Sequence, residues 1–198
     1  MFSHRSFTHI TSRITLLVVF LFIHSSSSFA LNNQSNVDSD LLTSFLNLTV
    51  EGVSLSMSPT EIQAKLQAMG YAQVSHTTFV KERPLAGGRQ VIYRIEIEHT
   101  PNSRKLGYFR SESGGRNKSP VTKTLPIPEQ EAKWVNTLYE LVCSDIPSEI
   151  SVLRQCEPAS EVSVRFGQGN PLSLSPTITT QLAASAGSIN LNIIYHKQ

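Results

Sequence analysis

Between residues 89 and 99 the apolar side chains fall on every second position. Val91, Tyr93, Ile95, Ile97 and then His99 share one parity, while Gln90, Arg94, Glu96 and Glu98 take the other, interrupted only by Ile92. A period of two with one apolar and one charged side marks a strand buried on one face and wetted on the other. Such a strand belongs in an antiparallel sheet with a helix on one side. Its neighbours repeat the pattern. Residues 73–82 alternate loosely, residues 84–88 (PLAGG) and 100–103 (TPNS) carry turn chemistry, and residues 105–111 (KLGYFRS) return as a third strand.

Helical spacing brackets these strands. Val53, Leu55 and Met57 alternate as a short strand, after which Ser58-Pro59-Thr60-Glu61 forms a capping box with proline at the first helical position. Ile62, Leu66 and Met69, with Ala64 and Ala68 alongside, continue a helix that Gly70 stops. Pro128-Glu129 opens a second helix with Trp134, Val135, Leu138, Leu141 and Val142 on one face, and Ile146-Pro147 ends it. Residues 148–155 add a helical turn or two through Ile150 and Leu153. Three alternating runs follow: Val162/Val164/Phe166, Ile178/Thr180/Leu182 and Ile189/Leu191/Ile193/Tyr195. The order helix, three strands, helix, three strands predicts an α+β fold with helices packed on antiparallel sheet. It also predicts a tandem pseudo-repeat with halves near 49–120 and 121–198, sharing one sheet or forming two small units.

The N-terminus carries an address. Arg5 and Arg13 precede a run of ten at residues 14–23 that is apolar except for Thr15, and Ser28-Phe29-Ala30 supplies a small-x-small ending. Residues 1–30 therefore read as a secretory signal peptide, with an apolar run too short to span a bilayer. Residues 31–48 read as a flexible segment, although Leu41, Leu42, Phe45 and Leu48 recur at helical spacing, and the α+β domain is expected over 49–198. Outside the signal the chain has 15 bases and 15 acids. That balance argues against a nucleic-acid binder, and no later run calls for a stable membrane anchor after signal cleavage. Cys143 and Cys156 are the only cysteines, an even count that in an exported chain predicts a disulfide. The expected location is periplasmic or secreted.

The run Gly52-Val53-Ser54-Leu55-Ser56-Met57-Ser58-Pro59-Thr60-Glu61-Ile62, with Leu66 and Gly70-Tyr71, resembles the strand-to-helix opening of the BamE/SmpA outer-membrane assembly proteins. It also resembles the repeat unit of β-lactamase inhibitor proteins. This resemblance of about residues 50–71 implies a helix-plus-antiparallel-sheet fold that binds other proteins and catalyses nothing.

Catalytic patterns are thin. Ser111-Glu112-Ser113-Gly114-Gly115 imitates a serine-nucleophile loop, yet no aspartate separates His76 or His99 from Ser113, and the flanking residues do not fit. His76, His99 and His196 fall in no metal-ligand spacing, so neither a metal nor a cofactor is expected. Glu96 and Glu98 share a strand face that alternation makes charged in any case. The charge pattern is more informative: residues 104–123 carry a net +5 and residues 129–161 a net −5. Arg104, Lys105, Tyr108, Phe109, Arg110, Arg116 and Lys118 are therefore the candidate partner-binding residues, with the two aromatics as anchors. The expectation is an exported, non-catalytic protein-binding module of inhibitor, immunity or envelope-assembly type, its partner another envelope or secreted protein. The alternatives are a small secreted hydrolase with a non-standard site or a small-ligand-binding protein.

Overall fold

The computed structural model describes residues 39–114, 127–143, 148–156, 163–167 and 170–197. Contacts divide the chain at Asp40–Leu41, and the unit Leu41–Gln198 carries the fold described below. The expected signal peptide, together with Arg116 and Lys118, lies outside the described residues.

Four helices and eight strands make up the described chain: α1 (residues 39–47), α2 (Pro59–Ala68), β1 (Ala72–Gln73), β2 (Thr78–Leu85), β3 (Arg89–His99), β4 (Ser103–Gly114), α3 (Glu129–Cys143), α4 (Ser148–Leu153), β5 (Ser163–Phe166), β6 (Leu172–Ser173), β7 (Ile178–Ser185) and β8 (Ser188–His196). All strands join one antiparallel sheet in the order β1-β2-β3-β4-β8-β7-β5, with β6 on β7. The strands of both halves thus share a single sheet, joined where β4 pairs with β8 from Ser103↔His196 to Ser111↔Ser188.

The capping box forms as the sequence predicts. The Glu61 amide donates to Ser58 Oγ at 3.3 Å, and the Ser58 amide donates to Glu61 Oε2 at 2.8 Å. Two of the helix's orphan donors are thereby satisfied in exchange. Gly70, at φ +83°, ends the helix in a conformation that favours glycine.

Residues 53–57 are not a strand. Val50 and Val53 exchange two backbone hydrogen bonds at 2.8 and 3.0 Å around Glu51-Gly52, both at positive φ, and the chain then turns into α2. Val53 and Leu55 are buried as expected, but by a tight turn and coil rather than by pleat. The core also takes in Phe45 and Leu48, from a segment whose polar composition reads as flexible. Leu153 departs from expectation in the other direction. Along with Val152 it is 75% exposed, so the short α4 does not place Leu153 as a core contact.

One core cluster unites the inward side chains of the sheet with those of the helices. Phe79, Ile95, Leu106, Tyr108, Leu182 and Leu191 come from strands, Ile62 and Leu66 from α2, and Trp134, Val135, Leu138 and Val142 from α3. Cys143 at the end of α3 is bonded to Cys156, with Cα atoms 5.9 Å apart. A disulfide there is compatible with an oxidising compartment. Among the described residues, no helix is long and apolar enough to cross a membrane.

Candidate functional site

Alternation and register together define what each strand presents. Phe79↔Ile95, Ile95↔Tyr108 and Tyr108↔Leu191 are direct cross-strand partners on the core side. Their neighbours Val80↔Arg94, Arg94↔Phe109 and Phe109↔Asn190 therefore stand together on the opposite side. On that side every described side-chain position is exposed or half-buried except Gly107. The sheet has one open face.

The middle of the open face is built around Gly107. Arg94, Glu96, Lys105, Phe109, Asn190 and Asn192 ring a depression of about 250 Å³ over it. A Cβ at Gly107 would meet Glu96 Cβ at 3.3 Å and Asn192 Oδ1 at 3.4 Å, so glycine keeps the hollow open. Arg94 lies over the Phe109 ring, 4.9 Å from its centroid. Glu96 pairs with Arg94 at 3.3 Å and with Lys105 at 3.4 Å. These are solvent-exposed pairs and worth little to stability, but they fix side-chain positions on the face. Carboxylate, cation, amide and aromatic groups stand within one patch, the mixture that protein interfaces use.

The proposed partner-binding residues divide between the two faces. Phe109 and Lys105 stand on the open face, as described. Arg104 turns to the core side and donates from Nη1 to the Leu55 carbonyl at 2.8 Å. Tyr108 and Arg110 are each 1% exposed, which rules them out as surface anchors. Parity explains this: both share the inward register of Leu106, and the basic composition of 104–123 conceals it.

Each nitrogen of buried Arg110 has a partner. Its Nε donates to Glu131 Oε2 at 2.8 Å, Nη1 to Glu112 Oε1 at 3.3 Å, and Nη2 to the Ser185 carbonyl at 2.9 Å. Tyr108 donates its hydroxyl proton to Glu131 Oε1, and its ring meets Trp134 edge-on with centroids 5.3 Å apart. Glu131 lies in the first turn of α3, where the helix dipole favours an acid. Burial nonetheless pushes its carboxyl up, outweighing the hydrogen bond from Tyr108 and the charge of Arg110. The phenol of Tyr108 is likewise raised, by burial first and then by the Glu131 charge.

A second hollow lies on the core side of the sheet, between residues 44–52 and α3. It encloses about 810 Å³, with Glu51, Lys81, Lys133 and Trp134 among its lining. Trp134 is 6% exposed, and its indole Nε1 has no hydrogen-bond partner among the described residues. Burial raises the Glu51 carboxyl and the Glu131 charge raises it further. Lys81 opposes this more weakly, as does the Trp134 N–H beside it. Lys81 donates to the Met69 carbonyl at 3.1 Å and lies over the rings of Tyr71 and Tyr93.

The hydrolytic pattern does not assemble. Ser113 pairs with Gln90 at one end of β3, while His99 pairs with Arg104 at the other. At about 3.3 Å per residue that is a separation of roughly 30 Å. His76 shares a hollow of about 280 Å³ with His99, and His196 pairs with Ser103 at the same end of the sheet. No group of three His, Cys, Asp or Glu side chains gathers as a metal-ligand set among the described residues.

Compared with protein-family models, with curated proteins and with solved structures, the chain matches none. Its functional reading therefore rests on its own residues.

Proposed function

We propose that this chain is an exported, non-catalytic binding module that receives another protein on the open face of its sheet. The observation that carries the proposal is the one-sidedness of the sheet. Its core side packs on the helices through buried side chains, and the other side offers Phe109 beside Arg94, Glu96, Lys105, Asn190 and Asn192. A half-buried aromatic ringed by hydrogen-bonding groups suits the centre of an interface, where a few anchors supply most of the affinity. The charged residues placed on this face by register (Glu82, Glu96 and Glu98 against Arg94, Lys105 and Arg165) balance one another. The face thus favours a partner of mixed polarity over a strongly anionic one.

The same proposal takes the two halves as a pseudo-repeat. The sheet order β2-β3-β4 followed by β8-β7-β5 supports it, since the last strands of the two halves meet at the middle. The resemblance of residues 50–71 to envelope assembly proteins and protein inhibitors points the same way. Secretion is part of the proposal, supported by the N-terminal pattern and by the Cys143–Cys156 bond.

The test is capture of a stoichiometric partner from a native envelope extract by the tagged protein, compared with three variants. Phe109→Glu and Arg94→Glu are expected to abolish capture, and Val152→Glu, on exposed α4, to retain it. Capture that survives both open-face substitutions would sink the proposal.

A further inference from the structure

The outward side of α3 carries two opposite charges, Lys133 and Glu140, both exposed. Neither forms an ion pair among the described residues. Seven residues apart, they share one stripe of the helix but lie about 10 Å from each other along its axis, beyond pairing distance. Asn136 and Thr137, also exposed, stand between them. The stripe is self-complementary. A second α3, antiparallel and centred on Asn136–Thr137, sets Lys133 against Glu140 at both ends of the contact.

Two apolar features adjoin this stripe. Along one flank opens the hollow of about 810 Å³, walled by Leu48, Met69, Trp134 and Leu141. Past the C-terminal end of α3, Val152 and Leu153 are each 75% exposed. They are held in place there. Cys156 is bonded to Cys143, Arg154 Nη1 donates to the Val142 carbonyl at 2.6 Å, and the Gly167 amide donates to the Arg154 carbonyl at 3.1 Å. An apolar pair already fixed has little freedom left to lose on binding. Arg154 keeps the pair beside Val142, and the register that sets Lys133 opposite Glu140 sets Val142 opposite Glu131. Along the helix axis the pair therefore reaches the part of the other copy's hollow that Gln130 and Lys133 line.

We propose that two copies of this chain associate through α3, antiparallel about a two-fold axis, each offering Val152 and Leu153 to the hollow of the other. An exposed apolar pair and an open apolar-walled hollow on one molecule complement each other, and reciprocal exchange closes the assembly at two. Lys133 and Glu140 fix the register, since a slipped or parallel pairing brings like charges together. The association is independent of the open face of the sheet.

Sedimentation equilibrium of the purified protein over a concentration series reads the association, and a monomer–dimer equilibrium is expected. Lys133→Glu or Glu140→Lys alone sets like charges opposite each other at two places, and is expected to weaken dimerisation about tenfold. The double variant Lys133→Glu/Glu140→Lys exchanges the charges and is expected to restore the original affinity, which damage to the fold by either substitution would not do. Val152→Glu is expected to weaken the dimer about a hundredfold, because each copy loses an apolar contact. Lys133, Glu140 and Val152 are exposed, so circular dichroism is expected to show all these variants folded. Phe109→Glu is expected to leave the dimer unchanged, which lets this association and the protein-binding face fail separately. The mass of a single chain at every concentration up to about 1 mM would overturn the proposal. So would a dimer that Val152→Glu leaves intact, one that Phe109→Glu dissociates, or a double variant no tighter than the single ones.

Discussion

Arg110 Nε and Glu131 Oε2 meet at 2.8 Å, with both side chains almost wholly removed from solvent. The pair ties the middle of the sheet to the first turn of α3. Desolvation of two ions is repaid only when the geometry is good and further hydrogen bonds support the pair, and Tyr108, Glu112 and Ser185 supply them. Arg110→Met leaves Glu131 buried and without its cation. The expected cost is about 3–5 kcal/mol, read from urea unfolding, with much of it recovered when Glu131→Gln is added. A cost below about 1 kcal/mol for Arg110→Met alone would show that the ion pair is not what holds α3 to the sheet.

Glu51 sets a pH dependence with a definite sign. Its folded carboxyl is raised above the ordinary value of 4.5 by burial and by Glu131, so the folded state holds the proton more tightly than the unfolded chain. That stabilisation is complete below pH 4.5 and is lost as pH rises through the raised folded value. Over that window the protein is expected to lose melting temperature relative to Glu51→Gln, whose side chain does not titrate. A difference between the two proteins that stays constant with pH, or grows in the other direction, refutes the assignment.

The turn that holds Glu51 predicts a gain. Glu51→Gly relieves the positive φ and removes a buried carboxyl, and is expected to raise stability by about 1 kcal/mol. Thermal unfolding checks this. An unchanged or lowered melting temperature would show that the turn does not strain Glu51.

Ser58 caps α2 in both directions. Ser58→Ala removes the acceptor of the Glu61 amide and is expected to cost about 1 kcal/mol. Glu61→Gln is expected to cost less, because its amide oxygen still accepts from the Ser58 backbone N–H. Urea midpoints of the two variants give the ranking directly.

The Cys143–Cys156 bond joins residues thirteen apart in sequence. Closing so short a loop stabilises by about 3 kcal/mol through the unfolded chain. Reduction, or the double substitution Cys143→Ser/Cys156→Ser, is expected to lower stability by that order, as measured by denaturant unfolding with and without reductant. No change would place the bond's role outside folding stability.

Much of the architecture was legible because it is local. The capping box at Ser58, the stop at Gly70, the parity of Val91 to His99 and the turn at Thr100–Ser103 each depend on neighbours within a few residues. The same holds for the α3 face carrying Trp134, Val135, Leu138 and Val142. At Arg110, where local reading failed, a distant partner decides the outcome. Arg110 lies in a stretch rich in cations, and only Glu131, twenty-one residues away, makes its burial affordable. Leu153 looks apolar enough for a core, yet the helix that carries it presents it to solvent.

The sequence by itself determined most of the alternation of helices and strands, the inward sets of β3, β7 and β8 and the cysteine pair, because period and cap chemistry are properties of adjacent residues. Tertiary structure alone decided that all strands share one sheet, that β4 meets β8, and that Phe109 stands apart from Tyr108 and Arg110 on the open side. It also brought Glu51 to Trp134 across more than eighty residues of chain. Those relations depend on how elements dock, a balance of buried area and paired charge summed over distant segments, for which no short stretch of sequence carries a signature.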